Sequence, residues 1–332
     1  MKILITGGGG FLGSSLAKRL YNLGNEVTIL GRKSYPEFEG IYNCIRADVR
    51  DLFSMEMALV GQEIVFHMAA TPGIWGDYED FYRTDVHGTE NVISACKKNN
   101  IKKLIYTSSP SVIFGKNNIE DVDEKTPYSN EHLCHYSKTK AIAELKVIKA
   151  NGYNGLSTVC IRPHLIWGPG DPHLIPRIIN RAKNGKLFRI GEGNNKVDMI
   201  YIDNAVEAHI KASEKLKLDS PVAGSCYFVS DGKPILLWAW IEALLINLKL
   251  PAIKKSISFR YAYLMGAILE VLYKILRSKK EPLMTRFLAA QLAKSHYFNI
   301  NNAKKDFGYE PLVTNEEGVK RLVNYYFSRQ ES

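Results

Sequence analysis

The chain has 332 residues and a formal net charge of +10, with 45% hydrophobic and 23% charged residues. That balance is ordinary for a soluble globular protein and excludes disorder as the default state, and the length allows one large domain or two modest ones. The basic residues form no long block, so no nucleic-acid partner is expected; the tightest cluster, Arg277, Lys279 and Lys280, directly follows an apolar stretch. Five cysteines (Cys44, Cys96, Cys134, Cys160, Cys226) contain no C-x-x-C pair. They argue against a disulfide framework or a metal site and for a reducing, cytoplasmic compartment. The N-terminus opens as a strand rather than a signal peptide, and no apolar run is long enough to span a bilayer.

The first predicted strand, Lys2–Thr6, runs into Gly7-Gly8-Gly9-Gly10-Phe11-Leu12-Gly13 and a helix over 11–23. Strand, glycine turn and helix in that order suit a pyrophosphate: the backbone can approach it, and the helix N-terminus supplies free N–H groups and partial positive charge. The contact residues predicted here are Gly7, Gly10, Phe11, Leu12 and Gly13. A second strand, 26–30, ends in Leu30-Gly31-Arg32-Lys33, without the acid that would bind a ribose 2′-hydroxyl. Arg32 and Lys33 instead suit a 2′-phosphate, which predicts NADP(H) over NAD(H), with NAD(H) still usable. After the strand 43–47, Asp48 and Val49 are placed to contact adenine.

Further strands are predicted over 64–67, 103–107 and 157–161, with helices over 51–59, 78–99 and 135–151. Several of these strands are continuous apolar runs, as expected of parallel strands buried on both faces. The alternation predicts an α/β protein with a Rossmann-type doubly wound parallel sheet and a smaller, mostly helical C-terminal substrate lobe. Residues 1–165 and about 195–216 would form the dinucleotide-binding domain, and about 166–194 and 217–332 the lobe.

Tyr136-Ser137-Lys138-Thr139-Lys140 places Tyr136 and Lys140 one turn apart on a helix face. A phenol of pKa about 10 is a poor proton donor near neutrality, and an adjacent ammonium favours its ionised form. Tyr136 is therefore the predicted acid/base. Hydroxyls in Tyr106-Thr107-Ser108-Ser109-Pro110-Ser111, at the end of the fifth strand, could hold a substrate carbonyl; Ser108, Ser109 and Ser111 are all candidates. Trp75, Trp167, Ile74, Phe114 and Tyr201 could line an apolar pocket, and His164, Arg177 and Lys196 could bind a carboxylate. The apolar stretch 261–276 and its basic tail to 280 predict a lid over the substrate, a contact for partner enzymes or a peripheral membrane contact.

Gly7–Gly13, Val65-Phe66-His67-Met68-Ala69-Ala70, Thr107-Ser108-Ser109, Tyr136/Lys140, Arg162-Pro163 and Tyr201-Ile202-Asp203-Asn204 resemble the extended short-chain dehydrogenases/reductases, in that family's order. Within it the chain is similar to the 3β-hydroxysteroid dehydrogenase branch. The nearest likeness is to the bacterial reductases of 2-alkyl-3-oxoalkanoates, through Gly73-Ile74-Trp75-Gly76, Arg162–Asp171 and Thr285-Arg286-Phe287-Leu288. The resemblance implies that Tyr136 is the proton donor in ketone reduction, with Lys140 its partner and holder of the nicotinamide ribose, and Ser109 the carbonyl-binding hydroxyl. It also implies cofactor contacts from Met68, Ala69, Ala70, Thr107, Pro163 and Ile166. Met68 departs from the Leu or Asn frequent there, which an apolar backbone-offering loop tolerates. A lipid-like small-molecule substrate and a homodimer are the implied partners. The rival readings are a sterol 3β-dehydrogenase, a nucleotide-sugar epimerase or dehydratase, and a dinucleotide sensor without turnover.

Overall fold

The computed structural model describes residues 1–71 and 73–329. Five strands appear early in the chain: β1 (Lys2–Thr6), β2 (Glu26–Gly31), β3 (Asn43–Arg46), β4 (Ile64–His67) and β5 (Lys103–Thr107). With Ser157–Pro163 and Ser225–Val229 they form a seven-stranded sheet in the order Ser225–Val229, Ser157–Pro163, β5, β4, β1, β2, β3. Every neighbouring pair is parallel. The apolar runs explain this arrangement. Ile3 and Ile5 of β1 enter one core cluster, with Ile29, Phe66 and Ile105. Leu4 enters the other, with Leu30, Val65 and Leu104. A strand with both faces covered needs no polar alternation.

The chain travels outward from β1 to β3 and then returns to β4 on the other side of β1. That reversal opens a crevice beyond the carboxyl ends of β1 and β4, where α/β sheets bind ligands. The helix α1 (Phe11–Asn22) starts at this edge.

Three boundaries differ from expectation. The strand Ser225–Val229, predicted in the lobe, completes the main sheet by pairing with Ser157–Pro163. Lys196–Val197, predicted with the dinucleotide domain, belongs to a small second sheet with Ile235–Leu236, His296–Phe298 and Ile119–Val122. These short strands carry little apolar periodicity, so only their long-range partners define them. The single helix predicted over 78–99 is broken into Tyr78–Phe81, a π-helical stretch Tyr82–His87, and Gly88–Lys98. One extra residue per turn is invisible to a 3.6-residue pattern.

Candidate active site

The glycine turn is shaped by close approach. Gly7 has φ +70°, and a Cβ there would lie 2.9 Å from Ala69 N; a Cβ on Gly13 would lie 2.3 Å from Gly7 O. No side chain caps the first turn of α1. Its N–H groups therefore face a cradle with room for a pyrophosphate, and the residues fit a dinucleotide.

A crevice of about 610 Å³ follows. It is lined by Gly7, Gly10, Phe11, Leu12, Gly13, Arg32, Asp48, Val49, Met68, Ala69, Ala70, Thr107, Tyr136, Pro163 and Ile166, all predicted for the cofactor. Lys33 is exposed and does not line the crevice. Asp48 lines it, but Arg50 holds its carboxylate, with contacts of 2.6–3.0 Å. That guanidinium keeps the Asp48 pKa below the usual carboxylate range, against the upward push of partial burial. Tyr35, not predicted as a cofactor contact, folds its ring over the turn: a Cβ on Gly9 would lie 1.9 Å from its Cε1, and one on Gly31 2.1 Å from its hydroxyl.

Two of the predicted chemical groups, Tyr136 and Ser109, line the crevice; the third, Lys140, is buried and does not line it. The helix His135–Ala150 presents Tyr136, and the segment after β5 presents Ser109. The Ser109 hydroxyl faces the Tyr136 phenol and lowers its pKa, while Ser109 Oγ also accepts the Ser111 N–H at 3.2 Å. Ser108 also lines the crevice, but it is only 3% exposed and its hydroxyl has no hydrogen-bond partner among the described residues. Lys140 is 2% exposed and donates to Thr107 O at 2.6 Å, with its ammonium 4.1 Å from the Tyr106 ring centre.

The expected lowering of the phenol pKa by the Lys140 ammonium is not seen. Burial pushes Tyr136 upward, and the charge of Asp85 adds to it. Burial also lowers Lys140 to about 8, although Asp85 and Glu144 oppose that. Burial is the largest effect on each group, and the charges that act on them come from Asp85 and, for Lys140, also Glu144.

Asp85 is the site residue that motif reading missed. It lies in the π-helical stretch, 1% exposed, and accepts Thr71 N–H at 2.8 Å and Thr139 Oγ1 at 2.7 Å. Burial raises its pKa, partly offset by Lys140. Behind the site, Glu144 and Arg162 form an almost inaccessible bidentate pair with N···O distances of 2.9 and 2.5 Å. Tyr128 donates to the same carboxylate at 2.6 Å.

The predicted substrate residues disperse. Trp167 and Tyr201 are core: their rings meet edge to face at 5.3 Å, and Trp167 packs on Trp240 from its other side. Trp75 ties the loop 73–76 to Ser278 O at 3.1 Å. Phe114 packs on Phe287 in a separate small cluster. Lys196 is exposed on the second sheet. His164 does line the crevice, but its Nε2 meets His296 Nδ1 at 2.7 Å and burial drives its pKa well below the usual histidine value. It is neutral, so it supplies no charge to a carboxylate.

Arg177 lines a second cavity of about 250 Å³, walled mainly by apolar residues such as Ile178, Met199, Trp238 and Ile241. Arg177 there pairs with Glu281 at 2.9 Å, and Arg181 donates to Leu283 O at 3.0 Å. The two cavities share Gly73, Ile74, Leu165, His173 and Gln291. Leu165, at the junction, has φ +46°, a strained conformation for a branched side chain.

Residues 4–259 match the sequence profile of the 3-beta hydroxysteroid dehydrogenase/isomerase family. The chain belongs to the 3β-hydroxysteroid dehydrogenase family. It is 44% identical over 325 residues to a 2-alkyl-3-oxoalkanoate reductase of Stenotrophomonas maltophilia, covering 97% of this chain and 98% of that one. It is 42% identical over 326 residues to a 2-alkyl-3-oxoalkanoate reductase of Shewanella oneidensis, covering 96% and 84%. The solved structure of MoeE5 in complex with UDP-glucose and NAD superposes with a TM-score of 0.77 at 22% identity over the whole of both chains, a likeness of fold. Family membership makes the protein an oxidoreductase of the NAD(P)-dependent, extended short-chain dehydrogenase/reductase kind.

Proposed function

We propose that this 3β-hydroxysteroid dehydrogenase family protein reduces a 2-alkyl-3-oxoalkanoate to the 2-alkyl-3-hydroxyalkanoate with NADP(H). The observation that carries the reading is the junction of the two cavities. A crevice with a phosphate cradle and a Tyr136–Ser109 pair opens into a mainly apolar cavity edged by two arginines. A ketone carrying an alkyl branch and a carboxylate meets all three requirements. The full-length likeness to two reductases of that name supports it.

Gly7–Gly13, Asp48–Val49 and Met68–Ala70 would hold the cofactor, whose chemistry when bound would be hydride donation to a carbonyl carbon. Ser109 would hold the carbonyl oxygen, and Tyr136 would give it a proton as the carbon–oxygen double bond becomes a C–OH single bond. Burial keeps Tyr136 protonated but makes it a weaker acid than a free phenol, so the carbonyl oxygen would take its proton only as it gains alkoxide charge. Lys140, fixed on Thr107 O, would position the ribose and set the charge behind the phenol. Arg181, whose hydrogen bond goes to a carbonyl, would receive the carboxylate. Arg32 in the crevice wall and the missing acid at the end of β2 support a 2′-phosphate.

The test follows NADPH absorbance with purified protein against 2-alkyl-3-oxoalkanoates, sterols and nucleotide sugars. Turnover of the branched keto acids with a kcat/KM for NADPH above that for NADH is expected. Turnover confined to nucleotide sugars, or a preference for NADH, defeats the corresponding half of the proposal.

A further inference from the structure

His164 follows the strand Ser157–Pro163 and lines the crevice that Tyr136 and Ser109 also line. Behind it lies His296, in the second sheet, on a strand paired at Val197 on one side and Ile119 on the other. The His164 Nε2 meets the His296 Nδ1 at 2.7 Å, and the His296 Nε2 meets Gln291 O at 2.9 Å. Aromatic edges enclose the pair: Phe114 packs on His296 and Phe298 on His164, with ring centres 5.4 and 5.2 Å apart. Burial holds His296 at a pKa of about 4 and His164 well below the usual histidine value, so both rings are neutral near neutrality.

This chain of bonds leaves one arrangement of protons. A carbonyl oxygen only accepts, so the His296 Nε2 carries the hydrogen given to Gln291 O. A neutral imidazole has a single N–H, so the His296 Nδ1 is a bare acceptor and the His164 Nε2 must donate to it. The His164 Nδ1 is therefore bare as well, and it can only accept. Among the described residues no donor meets it, and it is not sealed in as the unpartnered Trp167 Nε1 is, so its lone pair is open to the crevice. None of residues 261–280, the expected lid, lines either cavity, so that segment does not supply the donor. A bare lone pair opposes a carboxylate, beyond the lack of charge already noted, and calls for an N–H or O–H group.

We infer that the His164 Nδ1 accepts a hydrogen bond from the carboxamide of a bound nicotinamide, and that His296 is the positioning residue that fixes the tautomer of His164. The inference rests on the cofactor reading above. With the pyrophosphate on Gly7–Gly13 and the adenine at Asp48–Val49, the nicotinamide ring falls to the part of the crevice lined by Ser109, Tyr136, Pro163 and His164. A 3-oxoalkanoate presents only acceptors, its ketone and its carboxylate. The ring presents a donor, the NH2 of its carboxamide. An acceptor-only atom in this wall therefore matches the cofactor rather than the keto acid, and it would set which way the carboxamide and its ring are turned. Because His296 belongs to the second sheet, that sheet helps to seat the ring.

The experiment compares NADPH with its reduced 3-acetylpyridine analogue, in which a methyl ketone replaces the carboxamide and removes the N–H, by calorimetric titration of the purified full-length chain. It reads a Kd and needs no turnover, so its outcome is separate from the proposed keto-acid reduction. Repeating it with NADH and the corresponding analogue takes the 2′-phosphate out of the comparison. The wild type should bind the carboxamide form on the order of tenfold more tightly. His164→Phe should bring that ratio to roughly one by weakening the carboxamide form alone. His164→Asn, whose amide oxygen can stand near the place of Nδ1, should restore most of the ratio. His296→Phe keeps His164 but frees its tautomer, so it should lower the ratio too, and it reads the same link should His164→Phe not fold. Equal binding of both forms by the wild type, or a wild-type ratio in His164→Phe or His296→Phe, overturns the inference. An unchanged ratio in His164→Phe with weaker binding of the 3-hydroxyalkanoate assigns the acceptor to the product hydroxyl instead.

Discussion

The two joined cavities are built from opposite materials. The larger is framed by backbone: glycines whose absent side chains admit a ligand, helix N–H groups, and strand ends in a fixed register. The smaller is framed by side chains from helices far apart in sequence, including Ile178, Trp238 and Leu292. A backbone frame accepts almost no substitution, because nothing can move aside. A side-chain frame can be reshaped one residue at a time without disturbing the sheet. The first therefore suits an invariant ligand, and the second is where substrate choice can be tuned.

The sharpest test of this division is Tyr136→Phe, which removes the proton donor and leaves the cradle whole. Turnover should fall on the order of 10²–10⁴-fold, while the cofactor Kd from fluorescence titration stays near the wild-type value; a parallel loss of binding would break the separation. Gly13→Ala comes next. Its Cβ would meet Gly7 O at 2.3 Å, so the chain should lose about 1–3 kcal/mol of stability by denaturant unfolding and lose cofactor affinity with it.

Ile178→Trp fills the smaller cavity. KM for a long-chain keto acid should rise roughly tenfold, with the value for a short-chain ketone and the cofactor Kd unchanged. Equal effects on both substrates would mean that the second cavity does not receive the chain.

The smallest effect is expected from Asp85→Asn. Burial lowers Lys140 to about 8, and Asp85 partly opposes that fall. Asp85 also raises Tyr136. Without its charge both groups lose their protons at lower pH, so the alkaline limb of kcat/KM should move acidward. An unchanged profile would show that Asp85 acts only as a structural acceptor for Thr71 and Thr139.

The larger cavity was legible in the sequence because short local patterns specify it. A glycine turn after a strand, hydroxyls at a strand end and a tyrosine one turn from a lysine each carry their geometry with them. Even so, Lys33 faces outward while Tyr35 folds inward, since the short loop 32–35 does not encode which side chain turns toward the crevice. The smaller cavity was not legible. Trp167 and Tyr201 looked like pocket aromatics and are core, because aromatic residues at any spacing satisfy either role until their partners, here Trp240 and Gly318, are known. Asp85 was hidden by an apparently continuous helix. The lobe boundary failed at Ser225–Val229 because a short edge strand is defined by its neighbour rather than by its own pattern.

The irregular turn over Tyr82–His87 acts as an angular offset in an otherwise regular rod. Removing one residue from it would restore uniform winding and rotate everything upstream by about 100° relative to Gly88–Lys98. The carboxylate would then swing off the threonine it holds at 2.7 Å. A single surplus residue thus works as an aiming device, and shortening this segment should be harder to tolerate than altering most of its side chains.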